Sequence, residues 1–480
     1  MRQAIEIGSS QDWRGEVRRL FDLQAASRWA VSRSTAAERR KKLQRLKAAL
    51  EKHRGALGEG IRRDFGRPAE ESEFVEFHPI FEELNHAIAQ LGEWMRPEPV
   101  DAPLLLADTA SEIRWEAKGQ VLLLAPWNYP IYLVVGPLVG AIAAGNVVIV
   151  KPSEKVPETN RALRALVADA FPEDEVAMIE GEAPVAEALL ELPFDHIFFT
   201  GSTRVGKLVM AAAAKHLASV TLELGGKSPA IVAPDAHLAR AGNAIAWGAF
   251  VNAGQTCIAP DYVLVQEGQR EPLLASLRAS IERSYGPEGG WSTNGDFARL
   301  VDPGAFVRVK GLMDDAVGRG AKIVIGGESN AAQRYLAPTV LVNVPDDAPL
   351  LQEEIFGPLL PVVTYRTLQE ALEYVRKRPK PLALYLFSRS NTAVEQALTG
   401  TTSGGVCINN TLLHLANPRL PFGGVGPSGI GNYHGRAGFR AFSHERAVMR
   451  QQGNPLARWL APPYSGRMNR MVARFARMLQ

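Results

Sequence analysis

The chain has 480 residues, enough for two or three domains of the usual size of about 100–200 residues. Hydrophobic residues make up 46% and charged residues 22%, which excludes a disordered, collagen-like or ordinary membrane protein. Lys and Arg (54) nearly balance Asp and Glu (51), so the net charge of +3 does not indicate a nucleic-acid partner. With two cysteines and no signal peptide, we predict a cytoplasmic protein without a disulfide framework or metal site.

The first predicted elements are amphipathic helices over residues 34–61 and 77–95. Leu43, Leu46 and Leu50 recur at helical spacing through the basic run ERRKKLQRLK, which favours a solvated helix face over a nucleic-acid patch. A Pro-rich break at 97–103 precedes an alternating stretch around Trp115, which predicts a hairpin outside the main sheet.

Residues 131–150 form an uncharged run about as long as a transmembrane helix. Gly145-Asn146 within it is typical of a helix end, and the β-branched residues at 147–150 then predict a buried strand. With a strand at 121–124 this gives a βαβ unit, and strands at 195–200 and 220–224 flank a further helix. The pattern therefore predicts an α/β fold with a doubly wound parallel sheet.

Cys257 lies in the Gly-containing turn GQTC after a predicted helix at 243–252. A turn lets a substrate carbonyl approach both a sulfur nucleophile and backbone N–H groups. A lone cysteine is also commonly an inert core residue, and Cys407, in an apolar strand-like segment, is interpreted that way.

Three polar residues in apolar surroundings accompany this cysteine: Asn128 in APWNYP, Glu223 in TLELGGKSP and Glu354 in EEIFGP. Each alone has an alternative interpretation as a capping or turn residue. Together with Cys257 they provide a nucleophile, an amide donor for an oxyanion and carboxylates that move protons.

The segment 201–207, GSTRVGK, is close to a nucleotide P-loop, but Leu208 replaces the hydroxyl that would bind magnesium. This disfavours a kinase or ATPase and leaves a glycine turn before a helix, which indicates a dinucleotide site. Lys151 and Glu154, after the neighbouring strand, add a cation and a carboxylate within reach of a ribose.

Seven motifs occur in the order and at close to the spacings of one enzyme family: PWNYP, KPSE, FTGSTRVGK, LELGGKSP, GQTC, EEIFGP and LPFGGVGPSGIGNYHG. On these motifs the chain resembles the aldehyde dehydrogenase superfamily, and most of all its class 3 branch, from about Ser34 to Ser465. The resemblance implies a doubly wound cofactor domain (1–98 and 119–224), an α/β catalytic domain (225–422) and a small bridging β element (99–118 with 441–459). It also implies a homodimer.

The resemblance assigns Cys257 as the nucleophile that attacks the aldehyde, with its own N–H and Asn128 as the oxyanion hole. A thiohemiacetal and then a thioester would form on this sulfur before hydrolysis to the acid. Glu223 matches the general base, but Glu354 has base or cofactor-orienting roles in class 3 enzymes, so the resemblance leaves their division open.

The remaining implied residues bind cofactor or substrate. Lys151 and Glu154 resemble residues on the adenine ribose, Phe356 packs near the nicotinamide ribose, and the expected cofactor is NAD, with NADP as an alternative. The residues of the cofactor turn are Gly201, Ser202 and Val205, and those of an apolar tunnel for medium- to long-chain or aromatic aldehydes are Tyr129, Trp247, Val251 and Phe422.

The tail, residues 460–480, predicts a basic amphipathic helix without an acidic residue. Such a helix lies on a membrane surface without crossing it, or packs on the enzyme or a dimer partner.

Two rival functions are a cofactor-free thiol hydrolase and a non-catalytic binding protein on the same fold. A change in nicotinamide absorbance on addition of aldehyde separates the first from a dehydrogenase, and the intact Cys257, Asn128 and Glu223 disfavour the second.

Overall fold

The computed structural model describes residues 13–103, 106–453, 462 and 466–478. Within them the helices, in chain order, are α1 (Trp13–Ser32), α2 (Ala36–Phe65), α3 (Ala69–Ser72), α4 (His78–Trp94), α5 (Tyr132–Ala144), α6 (Pro157–Ala170), α7 (Ala183–Leu190), α8 (Thr203–Ala214), α9 (Leu238–Phe250), α10 (Arg270–Tyr285), α11 (Pro303–Gly318), α12 (Pro349–Gln352), α13 (Leu368–Arg376), α14 (Asn391–Gly400), α15 (Gly435–Ala441) and α16 (Gly466–Met478). The strands are β1 (Glu98–Val100), β2 (Thr109–Ala117), β3 (Gln120–Leu124), β4 (Val147–Lys151), β5 (Val176–Met178), β6 (His196–Thr200), β7 (Ser219–Glu223), β8 (Pro229–Val232), β9 (Tyr262–Gln266), β10 (Lys322–Ile325), β11 (Ser329–Asn330), β12 (Tyr335–Leu336), β13 (Thr339–Val342), β14 (Leu359–Tyr365), β15 (Ala383–Phe387), β16 (Gly405–Ile408), β17 (Gly429–Ile430) and β18 (Ser443–Gln451).

The first large sheet has the strand order β17-β7-β6-β3-β4-β5. Its neighbours are parallel except for β17, which pairs with β7 in the antiparallel direction. Every residue of β3, β4 and β6 is buried, which explains their continuous apolar sequences, because parallel strands are covered on both faces. The parallel α/β sheet is thus confirmed, while β5 and β17, only two or three residues long, were not predicted.

The uncharged run at 131–150 folds as the buried helix α5 followed by β4. All thirteen residues of α5 are buried. The helix ends at Gly145, whose φ of +89° is readily adopted only by glycine, and Arg39 occupies the space that a Cβ there would need. The buried-helix interpretation is therefore confirmed, and none of the helices in the described ranges is long and apolar enough to cross a bilayer.

The second large sheet has the order β10-β13-β14-β9-β8-β15-β16, parallel from β13 to β16 with β10 antiparallel. A separate antiparallel sheet of β1, β2 and β18 comes from the segments expected to form the bridging element, of which residues 454–459 lie outside the described ranges. The consecutive strands β1 and β2 pair antiparallel over three residues, as in the predicted hairpin. The longer pairing of β2 is with β18, over nine residues and more than 300 residues later in the chain.

The helix α1 packs on the first large sheet, although the family resemblance was expected to begin only near Ser34. Val17, Leu20 and Phe21 are buried against the first large sheet, and Gln24 donates a 2.9 Å hydrogen bond to the carbonyl of Val148. At the other end of the chain α16 is a helix, as expected, and Arg470 lies exposed on it; the structure describes residues 462 and 466–478 of the tail.

Candidate active site

Cys257 follows a left-handed turn that begins where α9 ends. Asn252 and Ala253 have φ angles of +52° and Gly254 has +72°, so the chain leaves the right-handed helix earlier than the predicted end at residue 252. A Cβ on Gly254 would collide with the carbonyl of Gly357, which explains glycine here. Consecutive left-handed residues are costly and persist only when their surroundings hold them, which is common at functional sites.

Side-chain hydrogen bonds hold this turn against Asn128. The Asn128 amide donates to the carbonyl of Gln255 at 3.0 Å, and the Asn252 amide donates to the carbonyl of Asn128 at 2.9 Å. The Gln255 side chain donates to Asn252 and accepts from the N–H of Val301, both at 2.9 Å. Asn128 and the segment before Cys257 therefore form one bonded unit, in which the sequence analysis missed Gln255.

Two cavities meet at Cys257. We call them the apolar cavity and the polar cavity. The residues that line both are Thr200, Glu223, Leu224 and Cys257. A group bound in one cavity thus shares the sulfur and the Glu223 carboxylate with a group bound in the other.

The apolar cavity contains three of the four residues expected to form a tunnel, Tyr129, Trp247 and Phe422. Val251 is not among its lining residues: α9 ends at Phe250, so Val251 does not continue the face of Trp247 and is buried instead. The lining residues that were not predicted are mostly aromatic or aliphatic: Phe74, Val75, Pro79, Tyr132, Leu133, Thr200, Leu224, Thr256, Ile258, Leu382, Leu412, Leu413, Leu415, Ala416 and Tyr433.

The polar cavity contains Asn128, Glu354 and Phe356 together with Gly201 and Ser202, at the N-terminus of α8. Ser202 caps that helix by accepting from the N–H of Val205, which itself does not line the cavity. Lys151, at the end of β4, and Glu154 form an ion pair of 3.1 Å and also lie outside this lining. Trp127, Thr200 and Arg308 line the cavity without having been predicted.

The Glu354 loop is held from several sides. Arg308 donates to the carbonyl of Ile355 at 2.6 Å and to those of Glu354 and Phe356 at 3.4 Å. Phe356 has a φ of +48° and contacts Trp127 edge to face, with ring centroids 5.3 Å apart. The sequence offered no signal for Arg308, because its contacts join segments that become neighbours only in the fold.

The electrostatics at the junction disfavour charge. Burial raises the pKa of Glu223 well above its usual value, and neither of its carboxyl oxygens has a hydrogen-bond partner. Burial raises the pKa of Glu354 to about 8, helped by the nearby Asp261. Burial also raises the pKa of the Cys257 thiol, and the two glutamates raise it further. The thiol is therefore protonated at neutral pH and needs an adjacent base to react.

These residues fit a nicotinamide dinucleotide. Three features supply the donors and acceptors that such a cofactor needs. They are the glycine turn at a helix N-terminus, the partnerless oxygens of Glu223 with Oε1 of Glu354, and the Lys151–Glu154 pair. Across the described ranges no cluster of three or more His, Cys, Asp and Glu side chains is placed to hold a metal ion.

Comparison with known proteins agrees with this chemistry. Residues 16–448 match the aldehyde dehydrogenase family. The chain is 43% identical to the probable coniferyl aldehyde dehydrogenase of Pseudomonas aeruginosa over 97% of each chain, and 44% identical to human aldehyde dehydrogenase family 3 member B1 over 90% of this chain and 91% of that protein. The substrate-bound structure of Staphylococcus aureus AldH superposes with a TM-score of 0.91 at 39% identity, covering 96% of this chain and 99% of that one. The chain belongs to the aldehyde dehydrogenase family and is a class 3-like, NAD(P)-dependent aldehyde dehydrogenase.

Proposed function

We propose that the enzyme oxidises medium- to long-chain aliphatic or aromatic aldehydes, with the aldehyde chain in the apolar cavity and the carbonyl carbon at Cys257. The observation that carries this proposal is that Cys257 and Glu223 line both cavities. A single sulfur can therefore bond to a substrate on one side while the nicotinamide cofactor lies on the other.

The residues at the junction supply the covalent chemistry. Glu223 accepts the thiol proton, and the Cys257 sulfur forms a bond to the aldehyde carbon, which places negative charge on the former carbonyl oxygen. The Asn128 amide and the Cys257 N–H stabilise that oxygen. NAD(P), when bound, is the acceptor for the hydride that leaves the aldehyde carbon. Once that first proton has been released to solvent, Glu223 takes a proton from the water that hydrolyses the thioester and returns it to the Cys257 sulfur, which releases the acid and the free thiol.

The lining of the apolar cavity supports an apolar substrate class. Its walls are aromatic and aliphatic, and each buried methylene contributes about 0.8 kcal/mol, or about fourfold in affinity. The name of the P. aeruginosa relative, a probable coniferyl aldehyde dehydrogenase, supports including an aromatic aldehyde.

The substrate proposal is tested by kinetics on straight-chain aldehydes from acetaldehyde to dodecanal, with coniferyl aldehyde as the aromatic case. We expect KM to fall with each added methylene until the cavity is filled. Trp247→Ala, which removes an aromatic wall, should flatten the series, whereas the exposed Trp29→Ala should leave it unchanged. A series in which acetaldehyde has the highest kcat/KM would contradict the proposal.

NAD is the proposed preferred cofactor. Glu154, paired with Lys151, supports this choice because a carboxylate accepts hydrogen bonds from two ribose hydroxyls and repels a 2′-phosphate. The positive charge of Lys151 would instead attract a 2′-phosphate, which explains why NADP is an alternative. Steady-state kinetics with a higher kcat/KM for NADP would refute the preference.

A homodimer is proposed on the class 3 resemblance, with the sheet of β1, β2 and β18 as the bridging element. β18 lies at the edge of this sheet and pairs with no second strand in the described ranges, which leaves an open edge for a partner and supports a contact there. Light scattering across a concentration series should give twice the mass of one chain, and a monomer at all concentrations would contradict the proposal.

The tail is proposed to attach the enzyme reversibly to anionic membranes. It contains Arg467, Arg470, Arg474 and Arg477, and each arginine near an anionic surface contributes about 1 kcal/mol. The test compares the full chain with a variant lacking residues 467–480 for sedimentation with anionic vesicles and for activity on a long-chain aldehyde. Salt-sensitive binding of the full chain alone supports attachment. If the full chain does not bind and the deletion changes only substrate range or dimerisation, the tail is a gate or an interface instead.

A further inference from the structure

A carboxylate outside the catalytic set contacts the turn that carries the nucleophile. The Glu71 side chain, on α3, accepts a 3.0 Å hydrogen bond from the backbone N–H of Asn252. Asn252 is fully buried and is the first of the three left-handed residues before Gln255. Because a helix turn continues through right-handed residues, this N–H has left the hydrogen-bond ladder of α9, and Glu71 is its acceptor.

The segment that carries Glu71 also reaches the apolar cavity. Immediately after α3, residues Glu73–Phe77 form a π-helical turn, and Phe74 and Val75 within it line that cavity. Phe74 meets Trp247 edge to face, with ring centroids 6.2 Å apart. Single π-turns are commonly found at functional sites. The same short segment therefore contacts the substrate cavity and the nucleophile turn.

The residues that follow connect this segment to the loop after β3, which contains Asn128. Glu76 is fully buried, pairs with Arg67 and accepts from the N–H groups of Ile131 and Tyr132 at 2.8 and 2.9 Å. Arg67 also donates to the carbonyl of Asn128 at 3.4 Å. The segment that carries Glu71 is thus fixed at its far end to the residues around Asn128.

We propose that Glu71 is a positioning residue for the reaction: its ionised carboxylate holds the left-handed turn at Asn252 and so keeps Cys257 in its reactive position. This inference rests on the proposed role of Cys257 as the nucleophile. An ionised acceptor makes a hydrogen bond roughly twice as strong as a neutral one, so protonation of Glu71 loosens the turn without breaking the bond.

The surroundings of Glu71 place this protonation near neutral pH. Burial raises the pKa of Glu71, Arg67 and the Asn252 N–H lower it, Asp296 raises it slightly, and the net result is a pKa of about 7. Tyr129 and Tyr285 also face the carboxyl and remain uncharged, since burial raises the pKa of both hydroxyls. The carboxylate is thus fully formed above about pH 8 and largely protonated below about pH 6.

The test uses Glu71→Gln, which keeps an acceptor oxygen and removes the charge, and Glu70→Gln, an exposed control on the same helix. Two rates are measured from pH 6 to 8.5: kcat with a long-chain aldehyde, and alkylation of Cys257 by iodoacetamide, followed by mass spectrometry. Ratios of wild type to variant are compared, because the titration of Cys257, Glu223 and Glu354 cancels in them. The melting temperature is measured at each pH.

We expect both ratios for Glu71→Gln to be about 5 above pH 8 and to approach 1 at pH 6, with Glu70→Gln near 1 throughout. The pKa of Glu71 is higher in the folded than in the unfolded protein, so ionisation of Glu71 lowers the free energy of unfolding as the pH rises. Glu71→Gln should therefore melt at the same temperature as wild type or higher at pH 8, which a merely structural defect would not do. Ratios within twofold of 1 at every pH, or equal losses in Glu70→Gln, would overturn the proposal. If instead wild-type Cys257 resists alkylation while the enzyme is active, the nucleophile assignment itself fails.

Discussion

Asn128 combines two contacts that are separable by experiment. Its amide nitrogen has two hydrogens, one of which is donated to the carbonyl of Gln255 in the turn before Cys257. Its side chain also lines the polar cavity beside Cys257, where the negative oxygen of the tetrahedral intermediate would form. Loss of the side chain would therefore remove the proposed oxyanion donor and also a support of the turn.

We expect Asn128→Ala to lower kcat by about 100- to 1000-fold, the usual cost of one oxyanion-hole donor, with KM changed far less. Alkylation of Cys257 by iodoacetamide, which forms no oxyanion, should slow by less than about 10-fold. A mutant with unchanged kcat and a raised KM would show a binding role. If alkylation slows as much as kcat, Asn128 acts through the turn.

The two glutamates at the junction differ in what they can reach. Glu223 lines both cavities with Cys257, whereas Glu354 lines only the polar cavity and lies on a loop held by Arg308. Glu223 is thus placed to take a proton from a water beside the thioester. Glu354 is placed to orient the cofactor.

Rapid-mixing kinetics separate these roles. Glu223→Gln should give a slower burst of reduced cofactor, because the thiol has lost its base, that still approaches one equivalent per active site. Turnover after the burst should be slower still, because thioester hydrolysis has lost the same base. Glu354→Gln should show a slower first turnover without a burst. The reverse pattern would assign the base to Glu354, whose pKa of about 8 would then appear as a rising limb of kcat with pH.

At the scale of single elements, the end of α5 depends on one glycine. Gly145 has a φ of +89°, and a Cβ there would meet the guanidinium of Arg39, which donates at 3.0 Å to the carbonyl of Ala143. Gly55, in the interior of α2, has open space around it and an ordinary helical conformation. The two glycines therefore form a matched pair for the same substitution.

Gly145→Ala should destabilise the fold by at least about 1 kcal/mol, because alanine is strained at positive φ and displaces a buried arginine. Gly55→Ala should stabilise it by up to about 1 kcal/mol through helix propensity. Unfolding in urea, monitored by circular dichroism, measures both. Equal effects of the two substitutions would show that Gly145 is not needed for the left-handed helix end.

Some elements and their boundaries were predictable from the sequence, and others were not. Long apolar strands such as β3, β4 and β6 were predictable because burial on both faces leaves a continuous signature. β17 was not, because two residues carry no periodicity and its pairing partner β7 lies about 200 residues earlier. The end of α9 was missed because the left-handed turn at Asn252 is imposed by tertiary hydrogen bonds and not by local propensity.

At the scale of the whole molecule, the sequence motifs predicted which chemical groups the site contains. The predicted fold indicated only in part where those groups meet. Cys257, Asn128, Glu223 and Glu354 were identifiable because polar residues in apolar segments are costly without a function. The junction of two cavities at one sulfur depends on packing between both large sheets, which no sequence pattern records. Val251 was misplaced because α9 ends one residue before it, and Gln255 was missed because its hydrogen bonds join segments that meet only in the fold.

The most direct test of the account is to locate the covalent intermediate. Glu223→Gln enzyme is mixed with a long-chain aldehyde and NAD, quenched in acid, digested and analysed by mass spectrometry. We predict an acyl group on the peptide that contains Cys257 and none on the peptide that contains Cys407, with Cys257→Ala inactive and Cys407→Ala retaining most activity. An acyl group on Cys407, or comparable activity of folded Cys257→Ala and wild type, would contradict the assignment of Cys257 as the nucleophile.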